Sequence, residues 1–171
     1  MVWFGEGKKK DLLGEYFEKM LDLLLVVSGE NKREEQGYRL GGLVGLLAEY
    51  LVENVFSFVI LRGKERVEWF PVQDRVKGVV DLVEEEAFMF GEAFREFCRG
   101  KGYRVGVAKR ILQERKILIP YFWGEKVEFR SMRRFRVLGG KSFSGYRLDL
   151  RLLGFDGRSL VEVIEERLKR R

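Results

Sequence analysis

The apolar positions of the chain follow two rhythms. Over 11–27, Leu13, Phe17, Met20, Leu24 and Val27 recur every three or four residues, which lines one stripe of a helix. A polar run at 28–36 breaks the stripe. A second helix follows over 40–54, with Leu40, Leu43, Val44, Leu47, Leu51 and Val55 on one face. Then the rhythm shortens. Phe56-Ser57-Phe58-Val59-Ile60-Leu61 is aromatic and β-branched and reads as a strand, and 67–70 and 75–82 continue as extended segments. Gly63-Lys64 and Pro71 mark the turns between them.

From 86 onward the two rhythms alternate in a definite order. Ala87-Phe88-Met89-Phe90 is a short strand. The segment 92–99 is a short helix that buries Phe94, Phe97 and Cys98 and stops at Gly100-Lys101-Gly102. Over 105–116, Val107, Ala108, Ile111 and Leu112 fall on one side of a helix and the basic residues mostly on another. The segments 117–120, 126–130, 133–138 and 143–151 read as extended, and the last two flank Gly139-Gly140-Lys141 as a long basic hairpin. Ser159 with Glu162 forms a capping box for a final helix that buries Leu160, Val163, Ile164 and Leu168. No internal repeat or low-complexity tract appears.

Helix, glycine turn, basic helix, strand and basic hairpin is the plan of a winged helix-turn-helix, in which the second helix enters a groove and the hairpin follows the backbone. The expected fold is therefore α+β. N-terminal helices with a small antiparallel sheet (1–85) pack against a winged-helix unit (86–152), and a C-terminal helix (153–171) packs on the core. A length of 171 residues fits one domain or two small ones.

Composition narrows the chemistry. The chain has no histidine, which excludes Ser-His-Asp and Cys-His catalysis, histidine general bases and His-ligated zinc. One cysteine, Cys98, allows neither an internal disulfide nor a cysteine metal site, and its apolar neighbours mark it as a buried structural thiol. Threonine is absent and Asn and Gln are scarce beside abundant Glu, Lys and Arg, the composition of a heat-adapted protein. Met1-Val2-Trp3-Phe4 runs into Lys8-Lys9-Lys10 without the apolar core of a signal peptide. The greasy stretch 40–60 is broken by Glu49, Glu53 and Asn54, so a core helix and strand are expected there rather than a membrane span. A cytoplasmic protein is expected.

Charge is unevenly placed. The net +6 combines 14 Lys/Arg and 19 Asp/Glu in 1–100 with 19 and 8 in 101–171, a −5 half joined to a +11 half. Between Arg99 and Arg151, 15 basic residues face only Glu114, Glu125, Glu128 and Asp149. Cations at that density neutralise phosphates, so DNA, duplex or forked, is the expected partner. The candidate contacts are Arg104, Lys109, Arg110, Arg115 and Lys116 on the basic helix, and Arg130, Arg133, Arg134, Arg136, Lys141 and Arg147 on the hairpin. Tyr121, Phe122, Trp123, Phe135, Phe143 and Tyr146 lie between these charges and are expected to form the core beneath the wing rather than a base-stacking platform.

Other chemistry fits less well. Gly140-Lys141-Ser142 ends like a P-loop, but position 135 is Phe where that motif needs glycine, and no cofactor is expected. Gly37, Gly41, Gly42 and Gly45 serve close helix packing. Asp149, Asp156 and Glu162 are spaced like the carboxylates of a magnesium-dependent nuclease, but no lysine stands two residues after Glu162. The nuclease is the alternative to a non-catalytic binder. A third reading has the acidic half docking on a protein partner while the basic half serves solubility.

Over 46–152 the sequence resembles the C-terminal portion of phage- and plasmid-type primase-helicases, in which a superfamily 3 or related ATPase precedes a small winged-helix tail. The resemblance is carried by the helix Leu47-Ala48-Glu49-Tyr50-Leu51-Val52-Glu53-Asn54 with Phe58, and by Val79-Val80-Asp81 ahead of Ala87-Phe88-Met89-Phe90 and Phe94-Arg95-Glu96-Phe97. It continues through Gly102-Tyr103, Val107-Ala108-Lys109-Arg110-Ile111-Leu112, Leu118, Arg133-Arg134-Phe135-Arg136-Val137-Leu138-Gly139-Gly140 and Tyr146-Arg147-Leu148. It implies a DNA-contacting or partner-docking appendage, without catalytic or metal-binding residues, serving replication of a mobile element beside a replicative helicase or primase. The sequence departs from that family in having no ATPase or primase core ahead of these residues, so either a fragment of a longer protein or a stand-alone appendage is expected.

Overall fold

The apolar alternation of the strands is satisfied by a sheet that buries both of its faces. The computed structural model describes residues 42–72, 75–155 and 157–171, and within it Leu43–Arg171 form a compact unit. The helix expected over 11–27 and the polar run at 28–36 lie outside the described residues.

The first described helix, α1 (Gly42–Glu53), runs through a single 3-10 turn into β1 (Phe58–Leu61), followed by β2 (Val67–Trp69), β3 (Gly78–Asp81) and β4 (Glu86–Phe90). Next come α2 (Gly91–Lys101), α3 (Val105–Glu114), β5 (Tyr121–Trp123), β6 (Lys126–Glu128), β7 (Arg130–Phe135) and β8 (Lys141–Asp149). The short strands β9 (Gly154–Phe155) and β10 (Arg158–Ser159) lead into α4 (Leu160–Lys169). The protein is α+β. Among the described residues a six-stranded sheet has the order β2-β1-β3-β4-β8-β7, and β5–β6 and β9–β10 form separate hairpins. The sheet is mostly antiparallel, as expected, but β1 and β3 pair in parallel. It also runs unbroken across residue 85, because β4 pairs with β3 on one side and with β8 on the other. The two expected parts therefore share one sheet.

Strand periodicity sorts the two faces. Phe58, Ile60, Val80, Ala87, Met89, Tyr146 and Leu148 point to the face that packs with apolar residues of α1, α2, α3 and α4, including Leu47, Phe94, Leu112 and Ile164. Val59, Leu61, Val79, Phe88 and Phe90 point the other way and pack with Phe135, Phe143, Val137 and Leu138 from β7, β8 and the turn between them. The far half of the β7–β8 hairpin therefore curls onto the second face, and Phe90 stacks on Phe143 with ring centres 4.3 Å apart.

The segment expected as a strand at 117–120 is reduced to a bridge between Leu118 and Leu148. Ile119 N–H donates to the Arg147 carbonyl (2.9 Å), and Asp149 N–H donates to the Ile117 carbonyl (2.8 Å). The β7 ladder then begins at Arg130 opposite Tyr146. Residues 117–119 and 130–135 thus occupy successive stretches of one edge along β8. The hairpin β5–β6 leaves that edge between them, after Pro120, and returns at Phe129.

Candidate functional site

The turn between α2 and α3 fixes where the basic helix begins. Gly102 adopts φ 73°, the left-handed conformation that glycine takes without a Cβ penalty, and its N–H caps the carbonyls of Arg99 and Cys98. Three residues later α3 starts, with Ala108, Ile111 and Leu112 buried. Arg110 is exposed on the opposite side, and Lys109 and Gln113 are half-buried along the flank. Lys116, at φ 59°, lies beyond the end of the helix, which is two residues shorter than the expected 105–116.

Lys109 and Gln113 form one wall of an open groove of about 740 Å³. Tyr121, Trp123 and Val127 of the β5–β6 hairpin line the groove as well, together with Arg130, Met132 and Ser144 of β7 and β8. Both cations are positioned by neighbours. Lys109 Nζ stands 5.3 Å from the centre of the Tyr146 ring, and Arg130 Nε donates to Ser144 Oγ at 2.6 Å. These contacts fix the two side chains while guanidinium and ammonium donors remain for a ligand. Glu128 is the carboxylate that lines the groove.

The aromatic residues of this hairpin correct the expectation that they form core. Tyr121 is 38% exposed, Phe122 66%, Trp123 69% and Val127 53%. Phe135 and Tyr146 are buried and Phe143 is half-buried, as expected of core residues. The two groups separate because Phe135, Phe143 and Tyr146 belong to the main sheet, whereas 121–123 pair only with 126–128 outside it.

The expected cations are not gathered on one surface either. Arg133, Arg134 and Arg136 line a different cavity, of about 380 Å³, together with Glu65, Asp81, Glu84 and Glu86. Arg136 lies 3.4 Å from Glu65. Arg147 holds both carboxylate oxygens of Glu86, at 2.9 and 3.0 Å, on the sheet face away from the helices. Arg133 stands 5.3 Å from the Phe135 ring. Cations set among carboxylates give a small net field, so this side of the hairpin is a poor polyanion surface. Arg104, the residue before α3, and Arg115, Lys116 and Lys141 are exposed and do not line the groove.

Of the carboxylates of the nuclease alternative, Asp149 is held by an arginine. Asp149 accepts from the Arg151 guanidinium at 2.9 Å through each oxygen, which holds its carboxyl below the usual range. The Glu162 backbone N–H donates to Ser159 Oγ (3.2 Å), as the cap requires, and its side chain is exposed. Asp156 lies outside the described residues. Among the described residues no group of three or more His, Cys, Asp or Glu could hold a metal ion, and no helix is long and apolar enough to cross a membrane.

A second cationic cavity, between α4 and β2, escaped the sequence reading. Arg158, Arg167, Arg170 and Arg171 line it together with Trp69 and Phe56. Its charges are largely spoken for. Arg158 and Arg170 both bond Glu166, and Arg171 covers the Trp69 ring at 4.7 Å. Comparison of the chain with protein-family models, with curated proteins and with solved structures gives no match in any of the three.

Proposed function

We propose that this protein is a nucleic-acid-binding module without catalysis of its own, and that its binding face is the groove between α3 and the β5–β6 hairpin. The observation that carries this reading is the juxtaposition of Lys109 and Arg130 with the exposed rings of Tyr121 and Trp123 around one open cavity. Cations there meet phosphates, and the rings offer faces to bases. The connectivity supports a winged-helix reading. The chain order β4–α2–α3–β7–β8 with sheet order β4-β8-β7 is what that plan requires. The inserted β5–β6 hairpin and the inward curl of the β7–β8 tip depart from it, and they move the proposed contact from the hairpin tip to its base. A place beside a primase or helicase in replication of a mobile element is the context that the resemblance of 46–152 supports.

The test compares two triple variants by fluorescence anisotropy on a labelled forked DNA at low salt. Lys109→Ala, Arg110→Ala and Arg130→Ala together are expected to cost at least tenfold in affinity. Arg133→Ala, Arg134→Ala and Arg136→Ala together are expected to cost less than threefold. The reverse ranking would place the interface at the hairpin tip.

A further inference from the structure

The β5–β6 hairpin has no evident purpose in the fold. It interrupts an edge that would otherwise run from 117–119 directly into 130–135 along β8. Its apolar side chains are mostly exposed, on both of its faces: Tyr121 and Trp123 on one, the cross-strand pair Phe122 and Val127 on the other. Exposed aromatic residues on a short edge hairpin are an aggregation liability, and proteins elsewhere blunt such edges with charge. Retaining four apolar side chains here indicates a ligand that meets them.

The surroundings say which ligand. The groove is lined by two cations, Lys109 and Arg130, and by two exposed rings, Tyr121 and Trp123. A wholly apolar partner would leave the cations unmatched, and a simple anion would leave the rings unmatched. A strand with unpaired bases matches both. Tyr121 and Trp123 stand two residues apart on one strand, with ring centres 6.4 Å apart and planes inclined by 31°. That separation is close to two stacking repeats of a nucleic-acid strand, each about 3.4 Å. In a duplex the base faces are already stacked on one another and closed to side chains. With two groove cations set against Glu128, the electrostatic grip is modest, so the rings must supply much of the affinity.

We propose that the β5–β6 hairpin is an aromatic prong that stacks the unpaired bases of single-stranded nucleic acid, with Lys109 and Arg130 taking the flanking phosphates. This deepens the nucleic-acid reading and rests on it. The consequence is a preference for forks and single-stranded arms over blunt duplex.

Anisotropy on a fork with a single-stranded polypyrimidine arm and on the same duplex with blunt ends tests the proposal. The wild type is expected to bind the fork at least tenfold more tightly. Tyr121→Ser with Trp123→Ser should reduce fork affinity by about tenfold to a hundredfold while changing blunt-duplex affinity less than twofold. Trp123→Phe keeps a ring and should retain fork affinity within about threefold. Arm-induced quenching of tryptophan fluorescence should be present in the wild type and mostly lost in Trp123→Phe. That readout stands even if the double variant folds poorly in a melting control. Wild-type binding to both DNAs, with no change in the double variant and no quenching, would overturn the prong and leave nucleic-acid binding in place. Absence of binding to either DNA would overturn the reading beneath it. Self-association that is lost in the double variant, without any fork preference, would make the hairpin an interface between copies and overturn the proposal.

Discussion

At the scale of single residues, Cys98 is the clearest test of how the helices and sheet shut out solvent. Its apolar neighbours on a short helix mark it as buried, it is fully buried, and burial pushes its thiol up to about 12. The thiolate is the reactive form, so the native protein at pH 8 should resist alkylation by iodoacetamide for hours, while the denatured chain reacts fully. Mass spectrometry of the modified protein checks this, and rapid native labelling would show that the α2 face opens. The same shift has a sign in stability. Above about pH 9 an unfolded chain loses the thiol proton that the folded protein keeps, so stability should fall as pH rises from about 9 toward 12. Arg147 is the contrary case. Its type and its hairpin position are legible, but the carboxylate that holds it, Glu86, lies 61 residues away, and no local signal announces that pairing.

Among the elements, the legible features are those decided by neighbours in sequence. The Ser159 cap, the left-handed Gly102 and the α3 face that buries Ala108, Ile111 and Leu112 all follow from local chemistry. What misleads is the aromatic run Tyr121-Phe122-Trp123, because a strand in a core and a strand on a projecting hairpin have the same composition. Only the pairing partner separates them, and pairing is not local. The curl of the β7–β8 hairpin is similarly hidden, although Gly145 marks a tight place in it. Gly145 lies opposite both Phe90 and Ser131. A Cβ added there would stand 2.3 Å from the Met89 carbonyl oxygen and 2.9 Å from a Phe88 ring carbon. Neither the backbone oxygen nor the buried ring can yield cheaply. Gly145→Ala should therefore destabilise by about 2 kcal/mol or more. Thermal melting and urea titration check this. A loss below about 0.5 kcal/mol would mean that the strand relaxes freely at that point.

At the scale of the whole molecule, the −5 and +11 halves predict a polyanion partner, but they overstate how many charges can act on it. Arg136 faces Glu65 and Arg147 faces Glu86, both acids from the negative half, so folding spends part of the asymmetry internally. The salt dependence of binding counts what remains. Each phosphate contact to a single strand contributes about 0.7 to the slope of log affinity against log salt. If Lys109, Arg110 and Arg130 carry the electrostatic contacts, the slope on a single-stranded arm should be about −2. If all eleven candidate cations act, it should be about −8. Anisotropy titrations between about 50 and 200 mM salt separate these values. A slope near −8 would require the pairs with Glu65 and Glu86 to open on binding and the hairpin tip to join the interface. A slope near −2 that does not change in the Arg133, Arg134 and Arg136 triple variant would confine the contact to the exposed face of α3, which carries Arg110, and to the groove lined by Lys109, Arg130 and the exposed rings.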